Sequence, residues 1–148
     1  MSEFVVDSCV WVDMIIKDRP RHAAAMDLGR KLAQDRVTVL VPMHAFFEIM
    51  TAASSESNKL GRPLGVGRFD EGFPLPQRYI PIDNAFLGEY VFNPVLTPDF
   101  LNVGAGDLIF LAIARKHQCP LVTEDAKFRA RAAKIGIKAM DIAGYLSG

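Results

Sequence analysis

Short apolar runs alternating with stretches of helical period constrain this chain more than any other feature. Phe4-Val5-Val6 is a buried-strand pattern ending at Asp7. Val37-Thr38-Val39-Leu40-Val41 is β-branched and is stopped by Pro42. Residues 78–82, Leu121-Val122-Thr123 after Pro120, and residues 137–140 read as three further strands. Between them, residues 21–35 place Ala25, Leu28, Gly29 and Leu32 on one helical face. A second helix follows Pro42, with Phe46, Phe47, Ile49 and Met50 among its apolar positions, and Asp83 is placed to cap a third that runs to about Phe92. Residues 105–117 are apolar nearly all round, the pattern of a central buried helix. Residues 125–135 are amphipathic, with Gly136 as the stop. Strands alternating with helices predict an α/β domain with a mostly parallel central sheet.

The chain has 148 residues, about one domain's length, and shows neither an internal repeat nor a linker. Cys9 and Cys119 stand far apart in no disulfide or zinc spacing, which fits a reducing compartment. The N-terminus carries no basic leader, and the most apolar long stretch, 101–114, is too short to span a bilayer. A single-domain cytoplasmic protein without a membrane segment is therefore expected. Its 17 basic and 17 acidic residues cancel, so any nucleic-acid contact has to come from a local patch or through a metal. Residues 54–76, with four glycines, three prolines and no clear period, read as an irregular segment.

Ligands of open α/β sheets bind beyond the carboxyl ends of the strands. Asp7 directly follows the first strand, and Asp125 lies two residues beyond the fourth. Glu48 falls in the first turns of the helix after the second strand, and Asp107 follows Gly104-Ala105-Gly106 at the start of the apolar helix. Each acid alone has an ordinary explanation: a turn residue, a solvated helix residue, a helix N-terminal acid and an N-cap, in chain order. Two details resist that. Asp7 precedes the apolar run Val10-Trp11-Val12, and Glu48 sits among apolar neighbours where a lone carboxylate is costly. Carboxylates sharing one cleft need a compensating cation, and an all-oxygen set suits Mg²⁺ or Mn²⁺ better than zinc. The three histidines form no ligand motif. His44, four residues before Glu48, can share its helix face, although a core or surface role is the simpler account.

Val5-Val6-Asp7-Ser8, Glu48 after the second strand, Gly106-Asp107-Leu108-Ile109 with Ala112-Ile113-Ala114, and Leu121-Val122-Thr123-Glu124-Asp125 with Phe128 together resemble the PIN-domain family. Their order and spacing run through essentially the whole chain. Size and lack of appended domains are most similar to VapC-type toxins of toxin–antitoxin pairs. The resemblance implies a three-layer α/β/α sandwich, Mg²⁺- or Mn²⁺-dependent endoribonuclease activity leaving 5′-phosphate and 3′-hydroxyl ends, frequent homodimers, and often a cognate antitoxin. It assigns Asp7, Glu48, Asp107 and Asp125 as metal-binding and catalytic acids, with Asp125 rather than Glu124 as the fourth. Ser8 and Thr123 become hydroxyls beside the site. Two departures stand out: Lys127 replaces an acid common in relatives, and 54–76 replaces a usually helical region.

Lys127, Arg131 and Lys134 recur on one helix face expected to meet water, with Arg129 nearby, and suit phosphate contacts as well as ordinary solvation. Arg62, Arg68, Phe69 and Phe73 are candidates for clamping single-stranded RNA or a partner. Two other readings stay open. One is a catalytically silent PIN-like module that binds RNA or protein. The other is a phosphotransferase using Asp7, although Cys9 stands where dehalogenase-type sites carry a second acid.

Overall fold

The structure, a computed structural model, describes residues 2–61, 77–91 and 103–148. Among these, five strands form one sheet: β1 (Glu3–Val6), β2 (Thr38–Pro42), β3 (Gln77–Ile80), β4 (Leu121–Val122) and β5 (Ala139–Met140), in the order β3-β2-β1-β4-β5. Every pairing is parallel, with Val5 level with Leu40 on one side and with Leu121 on the other. Val5, Val6, Val39, Leu40, Val41, Leu121 and Val122 are fully buried. Strands apolar on both sides need cover on both faces, as parallel sheets do.

The cover follows from chain direction. Helices α1 (Ser8–Ile15) and α2 (His22–Gln34) link β1 to β2, and α3 (Ala45–Leu60) leads from β2 towards β3, all moving one way across the sheet. Helix α5 (Ala105–His117) lies between β3 and β4 and carries the chain back the other way. Right-handed crossovers in opposite directions put their helices on opposite faces. Consistently, α1 packs on α2 and α3, while α5 packs on β1, β2 and β4. The result is a three-layer α/β/α sandwich with an all-parallel sheet. Among the described residues no helix is long and apolar enough to cross a membrane.

Local chemistry sets the element ends. Ala25, Leu28, Gly29 and Leu32 form the buried stripe of α2 as their spacing predicts. Asp83 caps the short α4 (Asn84–Phe86) by accepting the Phe86 N–H at 2.8 Å, but the chain then widens into a π-helical turn, Leu87–Val91, instead of continuing as an α-helix. The expectation of an irregular segment from Ser54 is corrected as far as Leu60. Ala45, Ile49 and Ala53 anchor α3 in the core, Glu56 ties its far half to Arg19, and Gly61 at φ 63° ends it in the left-handed conformation. Residues 62–76, with Arg62, Arg68, Phe69 and Phe73, lie outside the described residues. A short final helix, α7 (Ile142–Leu146), packs on α2; Asp141 caps it, and Tyr145 meets Phe4 edge-on at 5.3 Å.

Candidate active site

Strand order reverses beside β1, where β2 and β4 flank it from opposite directions. The crevice beyond the carboxyl ends of β1 and β4 is where such sheets bind ligands. Asp7 and Thr123 project from those two strand ends. Asp7 is 4% exposed and sits at the N-cap of α1 without making a cap bond. Its Oδ2 accepts the Thr123 hydroxyl at 2.7 Å and the Cys9 thiol at 3.1 Å, and its Oδ1 accepts from Ser8 at 3.4 Å. Burial and the Asp7 charge push the Cys9 thiol up to about 12, so it stays a donor. Thr123, fully buried, also accepts the Asp125 N–H at 3.1 Å, so one hydroxyl ties two of the acids together.

Asp125 caps helix α6 (Ala126–Lys134) by accepting the N–H groups of Lys127 and Phe128 on Oδ1, at 2.8 and 3.1 Å. The ordinary N-cap role therefore holds, and it coexists with a place at the crevice. Glu124 points elsewhere: it accepts the Ile142 N–H at 2.8 Å and lies 3.4 Å from Arg21. Arg129 braces the turn by donating to the Thr123 carbonyl at 2.7 Å.

Glu48, in the first turn of α3, reaches the start of α5. Its Oε1 fills the space that a Cβ on Gly106 would occupy, and its Oε2 is buried without a hydrogen-bond partner. Asp107 is the next residue of α5. Its carboxyl is raised to about 6 by burial first, then by the charges of Asp7, Asp125 and Glu48, with Arg131 opposing. Asp107 thus lies within electrostatic reach of each of the other three acids, although the four come from separate segments. Among the described residues, however, no three His, Cys, Asp or Glu side chains converge as a finished metal cage. The all-oxygen chemistry of the four acids and the orphaned Glu48 Oε2 nevertheless fit a hard divalent cation.

Lys127 and Lys134 are exposed on α6. Arg131, on the same face, is half-buried, and its charge reaches Asp107. It lies three residues after Phe128 and beside Ala132, both buried, which puts it at the border of the core face. Three neighbours of the site were named in the sequence but not assigned to it. Cys9 bonds Asp7, and Gly106 makes room for Glu48. His44 lies with Nε2 3.7 Å from Glu48 Oε1; burial lowers its pKa, against the opposing pull of Glu48, the Gly106 backbone and Asp7. The only signal for His44 was its four-residue offset from Glu48.

No curated protein matches this chain closely enough in sequence to count as a relative. Solved structures are similar to it across nearly its full length. A PilT N-terminus domain protein from the hyperthermophilic archaeon Sulfolobus solfataricus P2 is 12% identical, with a TM-score of 0.54 over 98% of this chain and 91% of that one. VapBC2 from Rickettsia felis, solved bound to a DNA fragment from its promoter, is 18% identical, with a TM-score of 0.57 over 94% and 98%. At these identities the likeness is one of fold. The PIN domain profile matches residues 4–134, and the chain belongs to the PIN domain family.

Proposed function

We propose that this protein is a Mg²⁺- or Mn²⁺-dependent endoribonuclease, the toxin of a toxin–antitoxin pair, acting as one cytoplasmic PIN-like unit. PIN domains are generally nucleases that use divalent ions. What supports the reading in this chain is that Asp7, Asp125 and Glu48 all act on Asp107, their charges adding to burial in raising its carboxyl to about 6. These four side chains would hold the ion, which when bound neutralises them, activates water and stabilises the leaving oxygen of a phosphodiester. Thr123, Cys9 and Ser8 keep Asp7 aimed by donating to it. Asp107 has to release its proton for the site to load. Arg131, beside the acids, and Lys127 and Lys134, further out, supply local positive charge for RNA phosphates in a chain of zero net charge. The fold likeness to VapBC2 supports a toxin role with an antitoxin partner, and a homodimer is expected by family habit.

The test compares wild type with Asp107→Asn on structured RNA in Mn²⁺, Mg²⁺ and EDTA. Cleavage should need metal and fall by roughly 10³-fold in the variant. Equal cutting by both proteins assigns the activity to a contaminant. Retained RNA binding with no cutting in either metal favours a silent binding module instead. A phosphoenzyme formed at Asp7 would favour phosphotransfer.

A further inference from the structure

Glycine opens the second position of α5, where alanine is the better helix former. The backbone at Gly106 is not in the left-handed region that would require glycine. What requires it is room: a methyl group there would overlap Glu48 Oε1, the far end of a side chain from another helix. On the other side stands His44, one turn before Glu48, with its ring tilted on that of the fully buried Phe110 at 5.2 Å. Both His44 nitrogens are shielded from water, as is Glu48 Oε2; the groups facing the ring are the Gly106 backbone and the Glu48 carboxylate, and among the described residues neither nitrogen makes a hydrogen bond of full geometry. Buried donors and acceptors pair wherever geometry allows, and the gap from Nε2 to Oε1 is 3.7 Å.

We propose that Gly106 and His44 together form a seat that fixes the Glu48 carboxylate beside Asp107, Gly106 by vacating the space it occupies and His44 by offering it an N–H. Both are positioning residues acting through Glu48. The geometry stands alone; its consequence for metal binding rests on the nuclease reading above. Groups that orient a ligating carboxylate typically change metal affinity by about 10- to 100-fold when removed.

The experiment uses Gly106→Ala, His44→Phe, which keeps the ring contact but loses the donor, and His44→Gln, which restores a donor. Thermal melting is measured without metal, and Mn²⁺ binding by electron paramagnetic resonance. Gly106→Ala should melt at or above the wild-type temperature, because the clash falls on a flexible side chain, and yet bind Mn²⁺ roughly 10-fold more weakly. His44→Phe should weaken binding similarly, and His44→Gln should recover most of it. A metal-free readout is the ¹⁵N signal of the His44 imidazole, which should shift in Glu48→Gln and stay put in Glu124→Gln. Gly106→Ala binding Mn²⁺ as tightly as wild type, or a His44 signal indifferent to Glu48→Gln, overturns the seat. Wild type that binds no Mn²⁺ while His44 still answers to Glu48 supports the seat and removes the nuclease reading.

Discussion

Asp7 and Asp13 lie six residues apart, at the start and within the body of α1, and both are almost fully buried. Their surroundings are opposite. Asp13 Oδ1 meets Arg19 Nε at 2.9 Å, and Arg21 stands 4.0 Å from its Oδ2. Arg19 also reaches Glu56 at 3.2 Å, so Asp13 joins α1, the turn into α2 and the far half of α3. Among the described residues Asp7 has no such cation. Its donors are two hydroxyls and a thiol, and its charged neighbours include the acid Asp107. A buried carboxylate answered by arginine holds the fold together. One answered by neutral donors and other acids is aimed for something from outside the chain.

The largest expected effect tests the Asp7 half of this contrast. Asp7→Asn keeps an oxygen for the Thr123 hydroxyl, so it should fold, while RNA cleavage in Mn²⁺ should fall by roughly 10³-fold or more. Circular dichroism checks the first expectation and initial rates the second. Full activity in this variant would dissolve the distinction between the two aspartates. Asp13→Ala should do the reverse. Removing one partner of a buried ion pair costs about 3–5 kcal/mol, and since Arg19 is 30% exposed the loss here should be nearer 2–3 kcal/mol by urea titration. Cleavage per folded molecule should change by less than a few-fold.

The alternation that defines the sheet was readable because residues such as Val5, Val6 and Val39–Val41 are apolar in runs too short for helices. The nearness of the four acids to strand ends and helix starts was readable for the same reason. Their distance from one another was not, since it depends on how α3 and α5 meet across chain segments far apart in sequence. The second half of α3 was hidden by Ser54, Ser55, Ser57 and Asn58, which offer the backbone competing hydrogen bonds and weaken any helical signal. Helix α7 is five residues long, too short to declare a period. Asp13 carries no sequence signal of its pairing, because its partner Arg19 lies beyond the helix end. Gly106 was legible only as the residue before Asp107, because the side chain that needs its space arrives from position 48.

A smaller effect should separate the two aspartates without any substrate. On the nuclease reading Mn²⁺ binds the folded site alone, so at about tenfold its dissociation constant it should add about 1.4 kcal/mol to wild-type stability. The same addition should raise Asp13→Ala by an equal amount and leave Asp7→Asn unmoved, as read by thermal shift in matched ionic strength. An equal shift in all three proteins would mean that the ion binds elsewhere.

The smallest effect concerns Asp107 and carries a definite sign. Its folded carboxyl titrates at about 6, above its ordinary value of 3.8, so between those limits the folded state keeps a proton that the unfolded chain releases. Stability contributed by this group is therefore present at low pH and is lost as pH rises through that window. An asparagine cannot ionise and escapes the loss. Without metal, Asp107→Asn should match wild type near pH 4 and exceed it by about 1 kcal/mol at pH 7, less than the full shift implies because the site is half open to water. Urea titrations in EDTA at the two pH values measure the difference. A gain that is the same at both would mean that neither burial nor the three neighbours raise the Asp107 carboxyl, and the contrast with Asp13 would then rest on Asp7 alone.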